Sequence, residues 1–292
     1  MPIHRYKYFS PTDAARMGKL QLFARQVVEG VITGLHRSPH RGFSVEFSEH
    51  REYVPGDELR HLDWKAVARS DRYYIKLYEQ ETNLRATVVL DSSASMRFAG
   101  KLDYGKHFAA CLAYLLAHQQ DLVGLVAVDN ELWLELPPGS SPAHLDRLFK
   151  ELELIEGQAT TSLPRGLHQL AERLPRRSLV LLISDLWTEP EDLTHALQHL
   201  RYRRHQAIII HLLDRAEVDL PYERQITLHD LETGEKIQVN PADLRPTYRQ
   251  QVQEYLQSMR RCCSDCDMEY HPLYMDQPYD RALIEFINRR GA

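Results

Sequence analysis

Short apolar runs alternate with longer amphipathic stretches along the last two thirds of the chain, and this alternation restricts the fold more than any other feature. The runs are ATVVL, LVGLVAV, LVLLIS, AIIIHLL and MEYHPLYM, at 86–90, 122–128, 179–184, 207–213 and 268–275. The first four are almost entirely apolar, which is typical of strands covered by helices on both faces. The pattern therefore predicts an α/β fold of βαβ units, with a doubly wound, mostly parallel sheet.

Two further segments predict antiparallel additions to this sheet. ELWLEL at 131–136 alternates apolar and polar residues, and only two residues separate it from the preceding strand. That spacing indicates a hairpin that adds one antiparallel edge strand. The segment QITLHDLETGEKIQVN at 225–240 predicts a second hairpin, turning at Thr233–Gly234, inserted into the α/β framework.

The first eighty residues have a different character. A helical pattern around 12–31 is followed by short alternating segments, a turn at PGD and the tyrosine-rich stretch RYYIKLY. We therefore expect two domains. Residues 1–82 form an N-terminal helix with a small β-containing module, and residues 83–292 form the α/β domain.

Charge and apolarity exclude two classes of protein. With 36 Lys and Arg against 41 Asp and Glu, the net charge is −5, and a nucleic-acid-binding domain would normally be basic. No run approaches eighteen apolar residues, and the opening stretch lacks the apolar core of a signal peptide. We expect a cytoplasmic protein that binds no nucleic acid and does not itself insert into a membrane.

The cysteines indicate neither a disulfide framework nor a zinc site. Cys262, Cys263 and Cys266 cluster in CCSDC, but a closed structural zinc site needs four ligands. In a cytosolic chain of this size they are expected to be reduced thiols that pack locally at a helix end.

The loop DSSASM follows the first apolar run and has an unusual density of oxygen atoms. Its spacing places Asp91, Ser93 and Ser95 at alternate positions, so one carboxylate and two hydroxyls can converge on one point. The loop lies at the carboxyl end of a strand, where open α/β sheets bind ligands. All-oxygen donors suit Mg²⁺ or Mn²⁺. The alternative is a solvated turn whose Asp or Ser caps the next helix.

Two later segments offer further oxygen donors at the same edge of the sheet. Thr160 and Thr161 lie in the loop GQATTSL before a helix, and Asp185 ends the strand LLIS. Their order along the chain favours a metal site over a solvated turn.

This arrangement resembles the von Willebrand factor A domain and its metal-ion-dependent adhesion site. The resemblance rests on the order strand, DxSxSM, helix, threonine loop and ISDL. It implies that Asp91, Ser93 and Ser95 form the first metal loop, that Thr161 is the second-loop ligand and that Asp185 acts through water. The second loop is longer after its glycine than the family pattern, so Thr161 is chosen over Thr160 by counting back from Leu163.

The segment HREYVPGDELRHLDWKAVARSDRYYIKLYEQE, followed by the metal loop, resembles the bacterial domain-of-unknown-function family fifty-eight. Its members pair this signature with a von Willebrand A domain and are typically encoded beside MoxR-type AAA+ ATPases. The resemblance covers roughly residues 36–290. It implies a partnership with such an ATPase, or with a client protein that offers an acidic residue.

The same signature has a composition suited to a protein partner. Aromatic and arginine side chains dominate binding energy at protein interfaces. The possible partner-binding residues are Arg51, Tyr53, Asp57, Arg60, Asp63 and Trp64. Alternatively, these aromatics form the core of their own small module. A catalytic pair of Asp57 and Asp63 is disfavoured, because the sequence offers no base–nucleophile arrangement beside it.

Three functions follow as hypotheses. The first is a non-enzymatic interaction module, an adaptor or assembly factor that grips a partner's acidic side chain through Mg²⁺. The second is an Mg²⁺-dependent phosphoryl-transfer enzyme with Asp91 as nucleophile and Asp185 holding the metal, although Ser93 stands where a second carboxylate would be needed, two residues after Asp91. The third is a metal-independent scaffold.

Overall fold

The computed structural model describes residues 19–36, 50–52, 74–76, 84–129, 131–157, 162–229 and 236–290. The chain divides into two compact units, one of residues 33–83 and one of residues 1–32 with 84–292. In the smaller unit, β1 (His50–Glu52) and β2 (Tyr74–Lys76) pair antiparallel. The expected β-containing module thus has at least this pair of strands.

The larger unit is built on a six-stranded sheet. Its strands are β3 (Arg85–Asp91), β4 (Leu122–Val128), β5 (Leu132–Gly139), β6 (Leu179–Ser184), β7 (Gln206–Leu213) and β10 (Glu269–Tyr274). Their order is β10-β7-β6-β3-β4-β5, and β5 is the antiparallel edge strand in an otherwise parallel sheet. The predicted α/β fold, mostly parallel and with one antiparallel edge strand, is confirmed.

Helices cover both faces of this sheet. They are α1 (Lys19–His36), α2 (Lys101–His118), α3 (Pro142–Leu154), α4 (Leu163–Arg173), α5 (Pro190–Tyr202), α6 (Arg215–Asp219), α7 (Pro241–Asp265) and α8 (Tyr279–Arg290). Val89, Val180 and Ile209 share one buried cluster with residues of α4, α5 and α7. On the opposite face, the backbone of α2 at Gly105 approaches Leu90 and Ile183. Successive strand residues point to opposite faces, so continuous apolar runs were required.

The first helix was predicted at 12–31; it ends five residues later, at His36, and residues 12–18 lie outside the described residues. Val28 and Val31 are buried, and this burial offsets the cost of the glycine Gly30 between them. The Leu20 amide donates to Glu153 Oε1 at 3.0 Å, and the Phe23 ring packs edge-on against His107 at 4.7 Å. Residues 19–32 therefore pack with the larger unit.

The edge strand β5 is also longer than predicted, because it continues through Pro137 and Pro138. An edge strand tolerates proline, which cannot donate to a second neighbour. The partner strand accommodates this stretch at Gly124, where an added Cβ would lie 2.8 Å from the Leu136 carbonyl oxygen. The strand ends at Gly139 and forms this edge of the sheet.

The second hairpin and the cysteine cluster match their predictions. Strands β8 (Ile226–His229) and β9 (Lys236–Val239) pair antiparallel, while their turn at Thr233–Gly234 lies outside the described residues. Cys262, Cys263 and Cys266 are free, buried thiols at the end of α7, so local packing is confirmed. None of the helices in the described part of the chain combines the length and apolarity needed to cross a bilayer.

Candidate metal centre

The loop DSSASM, the candidate metal loop, lies at the point where the strand order reverses. From β3 the chain passes to β4 on one side, and later to β6 on the other. The carboxyl ends of β3 and β6 therefore adjoin at a topological switch point, the usual ligand position in open α/β sheets. Asp91 ends β3, and Asp185 directly follows β6.

The Ser95 hydroxyl lies within hydrogen-bond distance of two other predicted donors, Ser93 and Asp185. The hydroxyl oxygens of Ser93 and Ser95 are 3.0 Å apart, and the Ser95 hydroxyl donates to Asp185 Oδ1 at 3.0 Å. These residues are separated by as many as 92 positions in sequence, and the parallel register of β3 and β6 brings them together.

Asp91 lies beneath this group and does not face the solvent. Its side chain is buried, its Oδ1 accepts from the Ser93 amide at 2.9 Å, and its Oδ2 accepts from the Ser184 hydroxyl at 2.5 Å. Burial, and then the nearby charge of Asp185, raises the pKa of Asp91 to about 6, although its hydrogen bonds oppose the shift. A nearby cation would favour the ionised form.

The loop after β6 is held in an unusual backbone conformation. Leu186 is buried with φ of 52°, a left-handed conformation that costs a non-glycine residue about 1–3 kcal/mol. Its amide donates to the Ser184 hydroxyl oxygen at 2.8 Å, and the Tyr255 hydroxyl donates to its carbonyl oxygen. These bonds from β6 and α7 fix the loop with Asp185 directed at the serines.

A buried lysine completes the centre and was not predicted. Lys101 Nζ lies 2.6 Å from Asp185 Oδ2 and 2.6 Å from Glu217 Oε1, and its side chain is only 2% exposed. Burial opposes its charge, but the two carboxylates outweigh burial and raise the pKa of Lys101 above its usual value. The sequence held one signal. Lys101 lies on the same helix face as the buried residues Gly105 and Phe108. A charged residue is unusual on such a face, which normally carries core residues.

The spacing of the two serine hydroxyl oxygens is compatible with a small hard cation. Mg²⁺ binds oxygen at about 2.0–2.1 Å in octahedral geometry, which separates adjacent ligand oxygens by about 2.9 Å. The Ser93 and Ser95 hydroxyl oxygens are 3.0 Å apart, which is also the length of the hydrogen bond between them. In the described part of the chain, no group of three or more His, Cys, Asp or Glu side chains is arranged to hold a metal. A metal bound here would therefore need the serine hydroxyls as ligands.

Several predicted site residues lie outside the described residues. These are Thr160, Thr161, Tyr53, Asp57, Arg60, Asp63 and Trp64. Arg51 is described as part of β1, where it pairs with Ile75, but its side chain is not. The roles assigned to these residues stay predictions.

A cavity opens beside the loop that carries Asp185. Its volume is about 830 Å³, and Trp187, Val252 and Tyr255 contribute apolar surface to its lining. Arg165 and Asp192 add charges of opposite sign. Trp187 is 69% exposed, an unusual state for a tryptophan in a folded domain. The candidate metal centre and this cavity thus share the segment that follows β6.

His211 on β7 gives the fold a pH dependence whose sign is fixed by its burial. Burial lowers the pKa of His211 to about 4, and its Nδ1 lies 2.7 Å from the Tyr270 hydroxyl oxygen. In the unfolded chain the pKa of a histidine is about 6.5. Between pH 6.5 and pH 4 the unfolded state therefore binds more protons than the folded state, so the free energy of unfolding falls as the pH falls through this window. We expect a loss of about 3 kcal/mol from this residue.

Urea unfolding of the wild type and His211→Gln at pH 7 and pH 4.5, with EDTA, measures this contribution. The wild type should lose more stability than the variant. The raised pKa of Asp91 has the opposite effect, since it increases stability as the pH falls. Both proteins retain Asp91, so the difference between their losses of stability measures the contribution of His211. Equal losses in the two proteins would contradict the prediction.

Comparison with known proteins places the chain in a group without an assigned activity. The model of the family described as "Protein of unknown function DUF58" matches residues 49–257, more than half of the chain. Relatives include Uncharacterized protein Rv1480 of Mycobacterium tuberculosis and Uncharacterized protein Mb1516 of Mycobacterium bovis. Each is 25% identical over 299 positions, covering 97% of this chain and 92% of the relative.

Similar solved structures include the conserved hypothetical protein BatB from Bacteroides thetaiotaomicron. It is 15% identical with a TM-score of 0.48, covering 70% of this chain and 98% of that one. The von Willebrand A domain of SpRpn10 is 11% identical with a TM-score of 0.41, covering 69% and 94%. Both scores are below 0.5, and the fold assignment rests on the strand order of this chain.

Proposed function

We propose that this chain, a member of the DUF58 family, is a non-enzymatic protein-interaction module. It would bind a partner's acidic side chain through Mg²⁺ or Mn²⁺. Membership follows from the family match over residues 49–257. The family description assigns no activity, so the function is argued from the site.

One observation carries the proposal: the oxygens of Ser93, Ser95 and Asp185 meet with 3.0 Å spacing at the switch point of the sheet. Ser93 and Ser95 would hold the ion directly, together with Thr161 from the second loop. Asp91 and Asp185 would act through water, since Asp91 is already bonded to Ser184 and to the Ser93 amide. When bound, the ion supplies a coordination position that attracts an incoming carboxylate.

The surroundings of the centre support a protein as the partner. Trp187 and Tyr255 line the cavity that begins two residues after Asp185. Trp187 is 69% exposed, and tryptophan and tyrosine are enriched among the residues that dominate protein interfaces. A partner that places a carboxylate at the metal centre could therefore bury Trp187 in the same interface.

The identity of the partner is proposed from the family resemblance. The chain would act in the cytoplasm as an adaptor or assembly factor, and its partner would be a MoxR-type AAA+ ATPase or a client that offers an acidic residue. A second contact would come from the signature residues Arg51, Tyr53, Asp57, Arg60, Asp63 and Trp64.

The enzymatic alternative is weaker because of the state of Asp91. A nucleophilic carboxylate needs an oxygen that can reach the substrate, whereas Asp91 is 1% exposed and both its oxygens accept hydrogen bonds. A metal-independent scaffold would leave the convergence of Ser93, Ser95 and Asp185 without a function. We therefore favour the metal-dependent module.

The proposal is tested by binding the purified chain to the MoxR-type ATPase of the same organism. We expect an association in Mg²⁺ that weakens at least tenfold in EDTA, and equally in Ser93→Ala. Ser92→Ala is the matched control, because the Ser92 hydroxyl donates to the Val128 carbonyl and lies outside the cluster. An association unaffected by EDTA and by Ser93→Ala would favour the scaffold.

A further inference from the structure

Lys101 joins three parts of the larger unit through a single ammonium group. It lies in the first turn of α2, just after the metal loop, and its Nζ lies 2.6 Å from both Asp185 Oδ2 and Glu217 Oε1. Glu217 belongs to α6, which follows β7. The lysine side chain is 2% exposed, whereas that of Glu217 is 33% exposed.

The two oxygens of Asp185 have different partners. Oδ1 accepts from the Ser95 hydroxyl at 3.0 Å, and Oδ2 accepts from Lys101 at 2.6 Å. One carboxylate is therefore shared between the proposed ion position and a cation that is part of the chain. A divalent ion beside Oδ1 would be repelled by the ammonium across the same carboxylate, and burial strengthens that repulsion.

The net charge of Lys101 and the three carboxylates near it would be balanced by one divalent ion. Asp91, Asp185 and Glu217 carry three negative charges when ionised, and Lys101 carries one positive charge, so the four side chains sum to −2. Partial neutralisation by Lys101 stabilises the buried Asp185 without an ion, because an unpaired buried carboxylate is strongly destabilising. The lysine therefore acts as a counter-cation in the absence of metal.

We propose that Lys101 is a tethered counter-cation that weakens divalent-ion binding, so that the ion is held firmly only when a partner's carboxylate contributes to the site. This inference rests on the proposed function and adds its regulation. Glu217 moderates the effect because it draws the ammonium away from Asp185. Removing the charge of Glu217 should therefore strengthen the hold of Lys101 on Asp185.

The two variants have opposite expected effects on the Kd for Mn²⁺ and Mg²⁺, measured by calorimetry on the full chain. Lys101→Met, which keeps the length of the side chain and removes the charge, should bind the ion at least tenfold more tightly. Glu217→Gln should bind it several-fold more weakly. Lys106→Met is the matched control on the same helix, because its ammonium donates to the Glu153 carbonyl, and it should match the wild type.

A second readout is thermal unfolding. In EDTA, Lys101→Met should unfold at a lower temperature than the wild type, and saturating Mg²⁺ should raise its Tm more than that of the wild type. Glu217→Gln retains the buried ammonium, so it tests the proposal even if Lys101→Met does not fold.

The outcomes separate this inference from the proposed function. If the wild type binds the ion but Lys101→Met binds it equally or more weakly, Lys101 merely positions Asp185 and the counter-cation is overturned. The same holds if Glu217→Gln binds more tightly. If the wild type and every variant fail to bind Mn²⁺ and Mg²⁺ even with the partner present, both the inference and the proposed metal centre are overturned.

Discussion

Replacing Ser93 and Ser95 together with alanine is expected to weaken Mg²⁺ binding about a hundredfold or more. Even the groups that orient metal ligands contribute about 10–100-fold to affinity, and this change removes two proposed direct ligands. The two hydroxyl oxygens are 3.0 Å apart, and Ser95 also donates to Asp185. Calorimetric titration with Mg²⁺ and Mn²⁺ measures the loss.

The control for this variant comes from the same loop. Ser92 is also buried, but its hydroxyl donates to the Val128 carbonyl at 3.1 Å and accepts from Trp133 Nε1 at 2.9 Å. Ser92→Ala should therefore lose about 1 kcal/mol of stability while retaining the wild-type Kd for the ion. Equal metal binding by Ser93→Ala/Ser95→Ala and the wild type would refute the assigned ligands.

The second large effect is expected at Gly166, where α4 meets the sheet. A Cβ at this position would lie 1.9 Å from Val128 Cγ2, far inside the contact distance of two carbon atoms. Gly166→Ala must displace the helix, the strand or the buried Val128 side chain, and we expect a loss of about 3 kcal/mol in the free energy of unfolding. Because α4 directly follows the second loop, the displacement should also weaken metal binding.

Urea unfolding of Gly166→Ala tests this expectation. The neighbouring variant Arg165→Ala, at an exposed position of the same helix, should stay within about 0.5 kcal/mol of the wild type. If Gly166→Ala matches Arg165→Ala in stability, the close approach of α4 to Val128 has no energetic role.

The architecture could be predicted because its signals are local. Strands buried on both faces need continuous apolar runs, and LVGLVAV and LVLLIS coincide with the observed bounds of β4 and β6. The alternation in ELWLEL indicated an edge strand with one exposed face, as β5 has. The expected position of the loop DSSASM at the carboxyl edge followed from the same reasoning.

The less predictable part of the centre depends on contacts between distant residues. Glu217 is separated from Lys101 by 116 positions, and no local pattern indicates that they pair. Ser184 likewise lies 93 positions from Asp91, to which it donates. The positive φ of Leu186 is imposed by the surrounding structure, because leucine has no intrinsic preference for that conformation. Such features depend on the assembled sheet.

Anomalous diffraction from crystals of the full chain grown with Mn²⁺ would test directly whether the serine hydroxyls bind a metal ion. We expect one strong anomalous peak at the carboxyl edge of β3 and β6, in contact with the Ser93 and Ser95 hydroxyl oxygens. The peak should be absent from Ser93→Ala/Ser95→Ala crystals grown in the same way. Crystals saturated with Mn²⁺ that show no peak at these serines would contradict the metal centre, and with it the proposed metal-dependent binding.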